Sequence, residues 1–439
     1  MYRKIEEYIK EYLLSDNERI LCVDGARQIG KTYIISKVIH ELYKNCIELN
    51  FDEDNRNDKQ YADIKNTEEF YIQLSIKYGN MMGDSNDTII FFDEIQIYPQ
   101  FFSMLKQFSK ENKFKYICSG SLLGLALQDG KNGLTPMGSI SKKHMYPMDF
   151  EEFLLANGVG KNVIDYLRDC YANKQTIKES VHNSIMNYFL SYLYVGGLPA
   201  AVKEYVDSKN IMKIKEIQGD IYSFYGQDAS RYDFENKLNI KRVYESLLSN
   251  IDNKVKRVQF TEIQDKENAR YVTYKNEFEY LINSGITLDC KALSEPKFPL
   301  VQSTSKNLFK LYFNDVGILT YLLYKNNINA ILKNKTGVNL GAVYETVVAQ
   351  ELRAHGYDLF YYDRKKVGEV DFLVDDYDNL CVLPIEIKSG KEGYSYRAMP
   401  KLVETENYRI QKGIILSNNS ETKVDGKIIC MPIYNIMFI

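Results

Sequence analysis

An eight-residue stretch constrains this chain more than any other. Gly25-Ala26-Arg27-Gln28-Ile29-Gly30-Lys31-Thr32 matches the pattern G-x-x-x-x-G-K-[ST]. An apolar run at 19–23 precedes it and helical periodicity over 31–43 follows, so the spacing predicts strand, loop and helix in succession. In that setting backbone N–H groups converge on phosphate oxygens and glycine permits their close approach. The first turn of the following helix adds the positive end of its dipole. Gly25, Ala26, Arg27, Gln28, Ile29, Gly30, Lys31, Thr32 and Tyr33 are the expected nucleotide-binding set. Lys31 is expected to reach the β- and γ-phosphates, and the Thr32 hydroxyl to ligate magnesium.

A second segment completes the chemistry. Residues 88–92 form a continuous apolar run that ends in Asp93-Glu94. Two acids at the C-terminal end of a parallel strand lie where open α/β sheets bind ligands. Asp93 is expected to hold the magnesium through water, and Glu94 to orient and polarise the attacking water. Another strand, 114–118, runs into Ser119-Gly120-Ser121, where Ser119 is read as a sensor of the γ-phosphate; the alternative is a plain turn. No Asn-Lys-x-Asp motif for reading guanine occurs, which favours ATP with Mg²⁺.

The fold class expected is a multidomain α/β protein. With 439 residues the chain exceeds what one hydrophobic core supports. Strands and helices alternate through the first third, which implies a parallel sheet covered by helices. We expect a P-loop NTPase core over 1–158, a helical lid over 159–240, a winged-helix-like domain over 241–330 and a separate α/β domain over 331–439. The lid carries helical periodicity broken at Gly196-Gly197-Leu198-Pro199; the winged helix rests on a strand pair near 287–293 and 309–313. The last part opens with a helix at 340–355 and continues in strand-like runs at 358–362, 369–374, 383–387, 412–416 and 427–432.

The formal net charge of −3 excludes a polycation, so any contact with DNA or RNA must use local basic patches such as 254–257 and 364–366. Seven dispersed cysteines without a CxxC pair, and four scattered histidines, argue against a zinc cluster and suit reduced thiols. The N-terminal segment lacks a signal-peptide core and no apolar run reaches spanning length, so a cytoplasmic protein with no membrane partner is expected.

These motifs, with Phe-Asp-Glu-Ile-Gln at 92–96, Tyr-Pro-Met-Asp-Phe-Glu-Glu-Phe at 146–153, Phe-Lys-Leu-Tyr-Phe-Asn-Asp-Val-Gly at 309–317 and Gly-Ala-Val-Tyr-Glu at 341–345, resemble AAA-type P-loop ATPases of the archaeal-ATPase-like group. Glu-Val-Asp-Phe-Leu-Val at 369–374 and Pro-Ile-Glu-Ile-Lys at 384–388 extend the resemblance through the C-terminal part. The resemblance implies ATP and magnesium binding, an AAA-type core over 1–158, a helical and winged-helix middle, and over 331–439 a restriction-endonuclease-like α/β domain of unknown function resembling PD-(D/E)xK nucleases. Relatives carry a basic residue where this chain has Ser139; Arg231 and Arg168 are then the candidates for an arginine finger, and a homo-oligomer is expected if a second copy supplies one.

In that C-terminal part, Glu386 and Lys388 share one face of a strand, as do Glu369 and Asp371. Asp371, Glu386 and Lys388 match D…E-x-K, with Glu345 as a fourth member. Glu345, Asp371 and Glu386 are the expected ligands of Mg²⁺ or Mn²⁺; Glu386 and Lys388 are the expected catalytic groups. The other reading is a structural ion pair between these acids and Lys388. Function is accordingly read as ATP hydrolysis coupled to a nuclease-like domain acting on nucleic acid. The alternative is an ATP-binding switch or scaffold whose inactive C-terminal domain engages protein partners.

Overall fold

The computed structural model describes residues 1–121, 138–232, 237–252, 274–332, 340–388 and 397–439. The backbone forms two compact units, Met1–Tyr146 with Asn283–Gly285, and Pro147–Ile282 with Ile286–Ile439.

In the first unit, β1 (Ile20–Asp24), β2 (Asn45–Asn50), β3 (Thr88–Asp93), β4 (Lys115–Gly120) and β5 (Ile140–His144) form a parallel sheet in the order β2-β3-β4-β1-β5. Helices α1 (Lys4–Leu14), α2 (Lys31–Leu42), α3 (Phe51–Arg56), α4 (Thr67–Tyr78) and α5 (Gln100–Glu111) belong to the same unit. Every residue of β3 is buried, as a strand covered on both faces requires. Phe51, Phe70, Phe92, Phe101, Phe108 and Tyr116 pack into one aromatic cluster, in which Phe92 stacks on Tyr116 at 6.1 Å. Each such ring stabilises the fold by roughly 1.5–3 kcal/mol on burial. The cluster thus clamps β3 beside β4 and fixes Asp93 at the strand tip. The polar Ser-Lys-Lys-His of β5 hid that strand from the sequence reading; it lies at the sheet edge, where no apolar alternation is needed.

The expectation of uniformly reduced thiols needs correction. Cys22 and Cys118 stand in register on the neighbouring strands β1 and β4, with Cα atoms 4.7 Å apart, and form a disulfide. Side chains of directly paired residues in adjacent strands project to the same side of a sheet, which is what brings the sulfurs together.

The second unit begins with helices α6 (Phe150–Ala156), α7 (Lys161–Ala172), α8 (Glu179–Val195), α9 (Pro199–Asp207), α10 (Ile211–Tyr232) and α11 (Lys237–Asp252). Its sheet has eight strands: β6 (Thr287–Leu293), β7 (Thr304–Phe313), β8 (Leu359–Arg364), β9 (Gly368–Asp376), β10 (Cys381–Lys388), β11 (Gly413–Ser417), β12 (Lys423–Asp425) and β13 (Ile428–Pro432). Their order is β12-β13-β11-β10-β9-β8-β6-β7. The strand pair assigned to a winged helix is therefore the edge of this sheet: β6 runs antiparallel to β7 and parallel to β8. A boundary at 330–331 would cut across a continuous sheet. β6 is buried at all but one position, and a buried strand needs ladder partners on both sides.

Two recurrent-looking motifs meet at one joint. Gly197 N–H donates to Asp315 Oδ2 at 2.6 Å, and a Cβ on Gly197 would collide with the Met148 carbonyl oxygen. Asp315 also caps helix α12 (Val316–Tyr324) by accepting from Ile318 N–H at 3.2 Å. Burial pushes the Asp315 carboxyl up to about 6 despite these bonds. Residues 196–199 and 314–317 are thus structural joints of the second unit.

Candidate nucleotide site and C-terminal carboxylate cluster

β1 delivers the chain at Asp24 into a loop that only glycine can begin. Gly25 has φ 139°, and a Cβ there would collide with the Met145 carbonyl oxygen and Ile29. The loop then enters α2 at Lys31. Lys31 Nζ donates to the carbonyls of Gly25 at 2.9 Å and Ala26 at 2.7 Å, and the side chain is buried. Burial pushes its pKa below the ordinary lysine value, against the charges of Glu94 and Asp93. An ammonium buried against neutral carbonyls is short of negative charge. A phosphate supplies that charge, so the residues present fit a nucleotide.

The acids lie at the tip of β3. Thr32 Oγ1 donates to Asp93 Oδ2 at 3.0 Å, Asn50 Nδ2 donates to the same oxygen at 3.2 Å, and Ser119 Oγ donates to Asp93 Oδ1. Burial holds the Asp93 carboxyl above the usual range, against the bonds from Ser119 and Thr32. A hard hydroxyl–carboxylate pair suits Mg²⁺, which takes few protein ligands and completes its shell with phosphate oxygens and water. Glu94 turns out of the strand in the left-handed region, φ 55°. Its Oε2 lies 3.6 Å from Arg27 Nη2 and accepts from Gln96 Nε2. Ser121 Oγ receives Gln96 Nε2 at 3.3 Å.

The structure brings Lys31, Thr32, Asp93, Glu94 and Ser119 close to one another. The Ser119 hydroxyl is turned to Asp93, and the Arg27 side chain reaches Glu94 in addition to its place in the loop. Other contributors carried no sequence signal. Arg3 donates from Nη1 to the Ile29 carbonyl at 3.0 Å and from Nη2 to the Tyr146 carbonyl at 2.6 Å, propping the loop from behind. Gly285, far along the chain, belongs to this unit; a Cβ on it would stand 3.1 Å from Ala26 N. Arg168 is engaged by Asp165 at 3.0 Å and Glu151 at 3.2 Å within the second unit. The side chain of Arg231 and the basic run 254–257 lie outside the described residues.

The C-terminal acids are arranged differently. Glu345 sits on α13 (Gly341–Ala354), Glu369 and Asp371 on β9, and Glu386 and Lys388 on the antiparallel β10. Asp371 Oδ2 accepts from Ile387 N–H at 2.8 Å, Glu345 Oε2 accepts from Tyr312 OH at 3.3 Å, and Glu386 Oε1 pairs with Lys388 Nζ. Lys310, on β7, enters the cluster: its Nζ donates to Glu369 Oε1 at 2.7 Å and lies 4.7 Å from the centre of the Tyr361 ring. Burial acts to lower the Lys310 pKa, but Glu345, Glu369 and Asp371 outweigh it and hold the ammonium above its ordinary value. Among the described residues no three of His, Cys, Asp and Glu converge as a metal site. Among the described residues the expected ligands Glu345, Asp371 and Glu386 do not form such a group. These carboxylates are turned to protein donors, and the one orphan, the buried Glu386 Oε2, is a single oxygen of a group already paired with Lys388. Arg364, Lys365 and Lys366 edge an open groove of about 700 Å³ that Leu308 and Tyr361 also line.

Comparison with known proteins assigns parts of the chain. Residues 17–154 match the family model described as an AAA domain; residues 186–329 match a domain of unknown function (DUF8612), and residues 340–436 another (DUF4143). A curated protein of Methanocaldococcus jannaschii, itself described as uncharacterized, is 24% identical over 460 residues, covering 98% of this chain and 87% of the relative. The solved Walker-type ATPase of Pyrococcus abyssi is 15% identical, over 73% of this chain and 95% of that one, with a TM-score of 0.42. The Aeropyrum pernix ORC2 protein, in ADPNP–ADP complexes, is 12% identical, over 76% of this chain and 95% of that one, with a TM-score of 0.40. The parallel sheet, the loop geometry and the family match agree on one statement: residues 17–154 carry an AAA-type P-loop ATPase core.

Proposed function

We propose that this chain is a magnesium-dependent ATPase whose nucleotide state is coupled to its C-terminal unit. One observation carries the reading: a buried Lys31 that donates to two backbone carbonyls stands in the phosphate loop, and Thr32 and Ser119 orient Asp93 at the strand tip. Loop amides and Lys31 bind the β- and γ-phosphates. Thr32 and Asp93 would hold Mg²⁺, and the ion would supply neutralisation of charge on the phosphates. Glu94 orients and polarises water, and Arg27 and Gln96 hold its carboxylate. Ser139 supplies no basic residue, so a finger would have to be another arginine; if a second copy supplies it, the active form is a homo-oligomer. Turnover and ATP affinity measured on three proteins test the core of this. Lys31→Ala loses ATP binding. Glu94→Gln keeps binding and loses at least about 100-fold in turnover. Hydrolysis undiminished in Glu94→Gln would defeat the assignment.

A second reading concerns the output of the C-terminal unit. The first has it act on DNA or RNA through a groove edged by Arg364, Lys365 and Lys366. Engagement of Asp371 by Ile387 N–H and of Glu386 by Lys388 favours instead a catalytically silent module that meets protein partners. Incubating the protein with single- and double-stranded DNA and RNA in Mg²⁺ or Mn²⁺ separates the two.

A further inference from the structure

Resting on the ATPase reading above, we propose that Gln96 is the positioning residue of the hydrolytic step. Anchored on Ser121, its amide holds one oxygen of the Glu94 carboxylate and so presents the other to the attacking water.

Three features carry it. The first is which oxygen is held. Gln96 Nε2 donates to Glu94 Oε2, and Arg27 Nη2 lies 3.6 Å from the same atom. Both contacts fall on Oε2, so Oε1 is the oxygen left to take a proton. In the step, the water oxygen bonds to the γ-phosphorus and the bond from that phosphorus to the β–γ bridging oxygen breaks. ADP leaves with the electron pair, and one water proton passes to Oε1. The second feature is the anchor. Ser121 Oγ accepts from Gln96 Nε2 at 3.3 Å and from Arg27 Nε at 3.5 Å, and Ser121 is 3% exposed. The amide is thus tied to the residue that follows β4 as well as to the acid at the tip of β3. A donor fixed at two points fixes its acceptor. The third feature is cost. Gln96 is buried, and only its Nε2 can donate to a carboxylate. Its own Oε1 is left buried with no hydrogen-bond partner among the described residues, whereas buried amides ordinarily satisfy both ends. Glu94 adds a left-handed backbone, φ 55°, which a non-glycine residue keeps only where its surroundings hold it. An unmet acceptor and a strained backbone serve the aim of the carboxylate and not the stability of the fold. Asp93 has its own donors in Thr32, Asn50 and Ser119, so Gln96 acts on Glu94 and not on the acid beside it.

ATP hydrolysis by the full-length protein in Mg²⁺, followed as kcat and KM and by single turnover for slow variants, tests this. Gln96→Met removes the donor at similar volume and lowers kcat by about 10–100-fold with KM for ATP unchanged. Gln96→Glu keeps the shape but offers no donor as a carboxylate, and falls at least as far. Ser121→Ala loosens the anchor and costs about 3–10-fold in kcat. In the Glu94→Gln background none of the three lowers turnover further, because a residue that works through Glu94 has nothing left to aim. Losses that add in that background, a rise in KM in place of a fall in kcat, or full kcat in Gln96→Met would overturn the proposal. If Gln96→Met does not fold, Ser121→Ala decides through the same cycle. Turnover undiminished in Glu94→Gln brings down the base assignment itself; turnover lost in Glu94→Gln but kept in the Gln96 and Ser121 variants brings down the positioning role alone.

Discussion

Each unit buries a lysine beside acidic side chains, and the two lysines respond in opposite directions. Lys31 donates to two backbone carbonyls, and burial depresses its pKa. Lys310 donates to Glu369 with Glu345 and Asp371 close by, and its pKa rises although it is as deeply buried. The difference lies in who neutralises the charge. Carbonyls solvate an ammonium without cancelling it, so Lys31 leaves a deficit that a phosphate can fill. Carboxylates cancel the charge of Lys310, so nothing remains for a ligand to do. A buried lysine near acids therefore marks a ligand site only when its direct partners are neutral.

Stability measurements give the sharpest way to break this comparison. Lys310→Met is expected to destabilise the protein by about 2 kcal/mol, since the buried Glu345 loses a nearby cation while Glu369, 44% exposed, is solvated. Asp371→Asn in that background should recover part of the loss. Lys31→Met is expected to leave the melting temperature of the nucleotide-free protein unchanged or raised, while abolishing the shift that ATP and Mg²⁺ produce in wild type. Equal destabilisation by both variants would show that the two lysines do not differ in kind.

A smaller effect appears in the pH dependence of unfolding. The folded protein gives up the Lys31 proton at a lower pH than the unfolded chain does, because the folded pKa lies below 10.5. The unfolded state then binds more protons, so Lys31 makes stability rise with pH in the window below 10.5. Lys310 has its folded pKa above 10.5, so its stabilising contribution is complete below that value and is lost only above it. Urea unfolding followed from neutral pH to 10.5 should show a rising component that Lys31→Met flattens and Lys310→Met leaves in place. The smallest effect is expected at Arg3. Arg3→Ala removes two bonds to buried carbonyls behind the loop and should cost about 1.5 kcal/mol of stability, with weakened ATP affinity as the accompanying readout.

What was legible in the sequence is what depends on neighbours along the chain. Gly25, Gly30, Lys31 and Thr32 act through one continuous turn, and Asp93 and Glu94 end one apolar strand, so local pattern and local chemistry coincide. The C-terminal strands were readable for the same reason: their apolar runs lie within a residue or two of β8 to β11 and β13. Tertiary structure decided everything that rests on sheet order or on a long reach across it. Asn50 meets Asp93 only because β2 lies beside β3, Cys22 meets Cys118 only because β4 lies beside β1, and Lys310 meets Glu369 only because β6 and β7 extend the C-terminal sheet. A side chain's period of two or 3.6 residues tells which face it takes, but not which distant element will cover that face. That is why the D…E-x-K pattern was visible from sequence while the lysine that reaches Glu369 was not.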